Sequence, residues 1–364
     1  MIIYVAIIFI FNIIFSQFVD NQPPVRIKKS LEGRQAYNNQ TNNYRDEEEL
    51  INFIESTMAT HLIPGLSISI VKDDNIVWEE QFGYANIVND ILVDENTVFI
   101  LSSISKTVTA TALMQLFEDG LFDLDDDIDN YLSFNINHPD YPLVPITFRM
   151  LLSHTSGIKD NWSVMPYYDG DSQIELSYYL NQYFTPGGQF YNSNSNFTNS
   201  SPGNGYSYSN IGAALIGLLV EEISNQSFNQ YCNENIFEPL EMNNAFWFLS
   251  EIEDLNQVAS PYQLTGGNGD TCFEIGCGIY NEDNPCFCDF ACIDYEDCCP
   301  DYEEVCGEDG TGADYANLTE HNNYGYADYP SGQLRTTSNN LAKFMSAYIN
   351  DGVYNGVRIL DSET

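Results

Sequence analysis

Two short strands near the start, long apolar helices further on and a dense late cluster of cysteines predict an α+β fold: an antiparallel sheet flanked by helices, interrupted by a small disulfide-rich insert. Leu50 to Met58 has helical spacing, and Pro64-Gly65 then opens a strand from Leu66 to Val71. The polar tip Lys72-Asp73-Asp74-Asn75 returns the chain as Ile76 to Phe82, completing a β-hairpin. A helix starts near Ser103 and runs to Glu118, closed by Asp119-Gly120, with Val108, Ala112, Leu113 and Leu116 on one face. A second runs from near Asn210 to Ile223 and carries Ile211, Leu215, Leu218 and Leu219 at helical spacing. A third is capped by Thr337 or Ser338, carries Leu341, Phe344 and Tyr348, and stops at Asp351-Gly352.

With 364 residues and 43% hydrophobic content, the chain can bury one large core or two modest ones. Twelve basic against 53 acidic residues give a formal charge of −41, which a phosphate backbone would repel, so nucleic acid is excluded as a partner. Such a surface suits an extracellular protein. Met1 to Phe15 is apolar except for Asn12, and Ser16-Gln17 follows as a cleavage point, so residues 1–17 read as a signal peptide. The segment is shorter than the roughly 20 residues of a spanning helix, and no later stretch is long and apolar enough, so no membrane span is expected after signal cleavage. It lacks a basic flank, which leaves an uncleaved anchor as the alternative. Residues 18–45 are polar, with Gln/Asn runs, and read as a linker. Asn39, Asn161, Asn196, Asn199, Asn225 and Asn317 open N-x-S/T sequons and are glycosylation candidates for a secreted or lumenal chain.

The acidic run Asp123 to Asp129 invites a calcium loop, but Ile128 stands where the turn glycine belongs, so it reads as a solvated turn and helix cap. No H-E-x-x-H pair or isolated Cys/His set calls for a metal, and no cofactor is implied. Four histidines without a G-x-S-x-G elbow make a Ser-His-Asp hydrolase a poor fit.

Ser103-Ile104-Ser105-Lys106 is an S-x-x-K sequence at the start of an apolar helix. Three residues of helix return nearly to the same face, so hydroxyl and amine can meet. The positive end of the helix and partial burial both disfavour the ammonium, which equips Lys106 to act as a base near neutrality. Lys106 is one of only six lysines and the only charge between Phe99 and Phe117. About one hundred residues downstream, Tyr208-Ser209-Asn210 precedes a second apolar helix inside GYSYSNIGAALIGLL.

Phe99 to Leu132 (FILSSISKTVTATALMQLFEDGLFDLDDDIDNYL) resembles the serine β-lactamase/penicillin-binding-protein superfamily, in particular its class C β-lactamase and D-Ala-D-Ala carboxypeptidase branch. Leu151 to Ile158 (LLSHTSGI), Tyr208 to Asn210, and Tyr329 to Phe344 (YPSGQLRTTSNNLAKF) resemble further landmarks of that branch in the same order. The resemblance implies a β-lactamase/transpeptidase-like fold, with a helical subdomain beside the sheet, over residues 46–266 and 311–364. It implies an acyl-enzyme on Ser103, with Lys106 and Tyr208 sharing the proton transfers and the choice of base left open. Asn210 is then expected to bind the substrate amide and hold Lys106, and His154 to belong to a structural loop. A small-molecule or peptide substrate follows: a β-lactam, D-amino-acid peptide, amide or ester.

Eight of the nine cysteines, Cys272, Cys277, Cys286, Cys288, Cys292, Cys298, Cys299 and Cys306, lie within 35 residues, too dense a set for a reduced compartment. C-x-C-D, C-x5-C-C and P-D-Y-x3-C in this stretch resemble a somatomedin B domain, which implies a disulfide module over residues 267–310 able to bind a protein partner. Its position in a loop-rich stretch between Pro261-Tyr262 and Tyr329 leads us to expect it on a surface loop near the rim of the active site. The pairing stays open, because eight cysteines allow 105 connectivities. Cys232 is left as a buried free thiol.

No K-T-G or H-x-G strand, the superfamily's third landmark, follows Tyr329 before Thr364. The expectation is therefore a chain that is either truncated or catalytically incomplete, with its hairpin left with an open edge and an uncovered apolar face. In the incomplete case the alternative function is a scaffold whose disulfide module binds a partner.

Overall fold

The computed structural model describes residues 47–72, 75–264 and 318–364. The expected signal peptide, linker and cysteine-rich module lie outside the described residues.

Helix α1 (Glu47–Thr60) lays Ile54 and Met58 against Leu66 and Ile68 of strand β1 (Gly65–Lys72) and Phe82 of strand β2 (Asn75–Asn86). The two strands pair antiparallel, Leu66 opposite Phe82 and Ile68 opposite Glu80, and β3 (Ile91–Leu92) extends them to a three-stranded sheet. Side chains alternate across a strand, so Ser67 and Ser69 face the other way. Their hydroxyls lie 2.7 and 2.9 Å from that of Ser338, at the start of a late helix. The apolar face expected to lie uncovered is thus filled by α1, while the opposite face meets that late helix. Among the described residues β1 pairs only with β2.

Strand β4 (Phe99–Ile100) leads through a single 3-10 turn, Ser102–Ile104, into α2 (Ser105–Glu118), so the α-helix proper begins two residues after the expected point. A short helix α3 (Phe148–Leu152), capped by Thr147, strand β5 (Tyr168–Asp169) and helix α4 (Leu176–Phe184) follow. In the acidic run, Asp127 caps a turn by accepting from Asp129 N at 3.1 Å, and the exposed Asp125 pairs with Arg149 at 2.8 Å.

Helix α5 (Asn210–Ser224) is the centre of the molecule. The sequence predicts one apolar face, yet every residue from Ile211 to Val220 is buried, because α2, α3, α4 and the short α6 (Phe228–Cys232) pack around it. A helix apolar on all sides needs such a coat. Leu215 and Leu219 are fully buried, and each such side chain contributes roughly 1.5–3 kcal/mol. Gly217 lets Pro330 approach the helix closely, since a Cβ there would lie 2.5 Å from Pro330 Cγ. Cys232 is a buried free thiol whose burial pushes its pKa well up.

Beyond α6, β6 (Ala245–Phe246) is followed by β7 (Tyr262–Leu264), which pairs antiparallel with β8 (Leu318–Glu320), the two strands flanking residues 265–317. Strand β9 (Tyr324–Gly325) pairs with β5. Strand β10 (Arg335–Thr336) lies between β4 and β6, and helix α7 (Ser338–Ile349) follows, capped by Thr337, which accepts from Asn340 N at 3.2 Å.

Candidate active site

The β4–β10 pairing brings residues 328–334 alongside the S-x-x-K turn. Leu101 N donates to Leu334 O at 2.8 Å, and Leu334 N donates to Ser105 Oγ at 3.2 Å. Thr109 Oγ1 donates to Pro330 O at 2.7 Å from the next turn of α2. Gly332 leaves room for the Tyr326 hydroxyl, because a Cβ there would lie 2.4 Å from Tyr326 Oη. Ser102, just before the candidate nucleophile, sits in the left-handed region at φ +47°, where a serine is strained.

Ser103 is exposed on this turn, with Lys106 one helical turn on and half-buried. The start of α5 supplies Tyr208, Ser209 and Asn210 from the other side. Ser103 Oγ lies 2.7 Å from Tyr208 Oη and accepts from Lys106 Nζ at 3.3 Å. Lys106 Nζ also donates to Asn210 Oδ1 at 2.7 Å and to the Ser331 carbonyl at 2.6 Å, and stands 4.9 Å from the centre of the Tyr208 ring. All four side chains singled out in the sequence therefore meet at one place.

Two acids and a histidine that the motifs did not flag as site residues complete the surroundings. Asp160 sits at the positive end of α5, where Oδ1 accepts from Ser209 Oγ (2.9 Å) and Ile211 N (3.1 Å), and Oδ2 accepts from Asn210 N (3.0 Å) and Asn210 Nδ2 (2.9 Å). Asp328 is buried and accepts from Ser331 Oγ at 2.9 Å. The His154 ring stacks obliquely on Tyr208, 4.7 Å between centres, and its Nδ1 accepts from Ser209 N at 3.3 Å. In the neutral ring the proton is then on Nε2.

Burial sets the electrostatics. It lowers Lys106 from 10.5 to about 8, against the opposing pull of the Asp160 and Asp328 carboxylates. Burial raises Tyr208 above its ordinary value despite the bond from Ser103, with Asp160 adding to the rise. It lifts Asp328 from 3.8 to about 6, and burial followed by the Lys106 charge lowers His154. Of the two groups bonded to Ser103 Oγ, Lys106 is thus the one whose proton-accepting form is accessible near pH 8. A partly neutral amine next to a hydroxyl that a phenol also touches is an arrangement suited to moving a proton off Ser103.

The sequons separate by burial. Asn196 is fully buried and donates to Tyr183 O and Phe190 O, both at 2.9 Å, and the buried Asn161 donates to Asn196 Oδ1 at 2.9 Å. In the folded chain both side-chain amides are buried and engaged in hydrogen bonds, an arrangement unfavourable to a sugar on either. Asn199 and Asn225 are exposed. Asn39, Asn317 and the eight clustered cysteines lie outside the described residues. Among the described residues no three His, Cys, Asp or Glu side chains gather to hold a metal ion, and no helix is long and apolar enough to cross a membrane.

Asp160 follows directly on LLSHTSGIK and Asp328 directly precedes YPSGQLRTT, so both adjoin recognised landmarks. In a chain with 53 acids, however, an isolated aspartate carries almost no signal. Ser331 contributes a backbone carbonyl, which no side-chain pattern can mark.

A family model described as Beta-lactamase matches residues 50–363. The chain belongs to the β-lactamase family. This β-lactamase-family chain is 26% identical to Protein flp of Staphylococcus aureus (strain MRSA252) over 223 residues, 60% of this chain and 42% of that protein. It is 28% identical to penicillin-binding protein 4* of Bacillus subtilis (strain 168) over 186 residues, 49% of this chain and 36% of that one. The chain thus spans about two fifths of the length of these curated relatives. Among solved structures, the octameric penicillin-binding protein homologue from Pyrococcus abyssi is similar at a TM-score of 0.56 and 24% identity, covering 87% of this chain and 58% of that one. The D-amino acid amidase of Ochrobactrum anthropi SV3 matches at 0.57 and 20% identity, covering 86% and 72%. These structural likenesses show the β-lactamase/transpeptidase-like α+β fold.

Proposed function

We propose that the protein is a serine hydrolase that forms an acyl-enzyme on Ser103. One observation carries this reading: Ser103 Oγ lies within hydrogen-bond reach of both Lys106 Nζ (3.3 Å) and Tyr208 Oη (2.7 Å). Neutral Lys106 takes the Ser103 proton as Oγ attacks the substrate carbonyl. Tyr208, kept protonated by its raised pKa, hands its hydroxyl proton to the departing group as the carbonyl–leaving-group bond breaks, and is reprotonated from Lys106. Water then attacks the acyl-enzyme with the same groups acting in reverse. The lowered pKa of Lys106 favours it over Tyr208 as the first base.

Esters and amides, β-lactams and D-amino-acid peptides are the substrate class; the names of two similar proteins, a penicillin-binding protein and a D-amino acid amidase, support amide-type substrates. Secretion is part of the same proposal and rests on the apolar Met1–Phe15 segment and the clustered cysteines. A protein partner for residues 267–310 is also proposed, and rests on their resemblance to a somatomedin B domain alone. The test of the hydrolase reading is labelling of the full chain with a fluorophosphonate. A single adduct on the Ser103 peptide, absent in Ser103→Ala, is the expected result. No adduct on the folded protein would overturn the reading and favour a non-catalytic scaffold.

A further inference from the structure

We propose that Asp160 is a positioning residue: it fixes which end of the Asn210 amide faces Lys106, and so holds the lysine against Ser103. The inference rests on the reading of Ser103 and Lys106 given above. The two ends of an asparagine amide have nearly the same shape, so only hydrogen bonding decides which way it lies. A carboxylate accepts only and an ammonium donates only. Asn210 lies between one of each: Nδ2 donates to Asp160 Oδ2 at 2.9 Å, and Oδ1 accepts from Lys106 Nζ at 2.7 Å. Both partners demand the same orientation. A flipped amide would set two acceptors face to face at Asp160 and two donors at Lys106.

Asp160 can impose this choice because it is itself held fast. Ser209 Oγ, Ile211 N and Asn210 N all donate to it, and α5 directs the positive end of its dipole at the carboxylate. The aspartate thus joins the first turn of a helix buried from Ile211 to Val220 to the amide that seats Lys106. A residue that only capped α5 would need the backbone bonds alone. The contact to Asn210 Nδ2 is additional, and it points toward Lys106. The other charged or titratable groups facing Lys106 are Asp328, His154 and Tyr208, none of which bonds the Asn210 amide.

The experiment compares Asp160→Asn with Ser209→Ala in the full chain. Asp160→Asn keeps the shape but loses the charge and becomes able to flip. Ser209→Ala removes the Oγ bonds to Gly212 N and Asp160 but leaves Asp160 on Asn210. The readouts are the thermal midpoint and the rate of Ser103 labelling as a function of pH. Both variants should melt earlier. Only Asp160→Asn should lower the plateau labelling rate, by roughly ten- to a hundredfold, and move the acid limb to lower pH, because an anion that stabilises the Lys106 ammonium is gone. Asp160→Ser, which can still accept from the helix N–H groups, takes its place if Asp160→Asn does not fold, with the same pattern expected. An unmoved acid limb with a plateau within about twofold of wild type, or the same changes in Ser209→Ala, would reduce Asp160 to a helix cap and overturn the inference. A wild type that takes no label would overturn the nucleophile reading itself, which is a different result.

Discussion

Raising the pH from 6 to 9 should turn Ser103 from a slow into a fast target of a fluorophosphonate, along a curve set by Lys106. A lysine in water titrates at 10.5, and burial brings Lys106 to about 8. At pH 7 about one tenth of Lys106 is then the neutral amine, against about one part in 3,000 for an exposed lysine. The gain in usable base is about 300-fold, equivalent to about 3 kcal/mol. Labelling should rise about tenfold between pH 6 and 7 and level off above about pH 8. Lys106→Met, measured at each pH, should be slow and flat throughout. A Tyr208 base would behave differently, because burial raises that phenol above its ordinary 10, and the rate would still climb past pH 10. A profile flat from pH 6 to 8, one still rising at pH 10, or wild-type rates in Lys106→Met would refute the assignment. Stability supplies an independent check. Between about 8 and 10.5 the unfolded chain binds a proton at Lys106 that the folded chain has released. Folding should therefore strengthen with rising pH across that window in wild type relative to Lys106→Met, and this gain should be absent below pH 8.

Tyr208→Phe deletes the hydroxyl 2.7 Å from Ser103 and should slow labelling by roughly 10²–10⁴-fold. The melting temperature should hardly change, since Tyr208 is 43% exposed. Gly217→Ala would force a methyl to 2.5 Å from Pro330 Cγ in the core. It should lower stability by about 1–3 kcal/mol in a denaturant melt, and slow labelling by moving the adjacent Ser331 carbonyl off Lys106. Asp328→Asn should raise the thermal midpoint at pH 7 but not at pH 3.5. The folded carboxyl releases its proton near 6 and the unfolded one near 3.8, so its penalty grows as pH rises between these values and stays constant above them.

Much of this molecule could be read along the chain. The β1–β2 hairpin, α2, α5 and α7 all follow from alternation or helical spacing, with boundaries within a few residues, because each is stabilised by contacts its own period organises. The two-residue strands β4, β6 and β10 could not be read that way. Each exists only because a partner far along the chain lies beside it, as Arg335 does beside Ile100 and Phe246. Helix α4 escaped notice because its LSYYLNQYF sequence mixes aromatic and polar residues, and only the packed structure shows Tyr179 and Tyr183 fully buried.

The candidate site divides along the same line. Ser103 and Lys106 were determined locally, since three residues of helix bring any such pair together, and Tyr208 and Asn210 were marked by the start of their own helix. The direction of the Lys106 shift could be read from its place at a helix start, but its size belongs to the tertiary structure. It depends on burial beneath a carbonyl 225 residues away and on carboxylates from two other segments. The sequons at Asn161 and Asn196 teach the same thing from the opposite direction: three residues specify the acceptor motif, but only the packing that buries both side chains decides whether it can be used. Spacing along a chain reports which groups can meet within a turn or a hairpin. Desolvation and long-range pairing arise only once separate segments have closed over one another and excluded water.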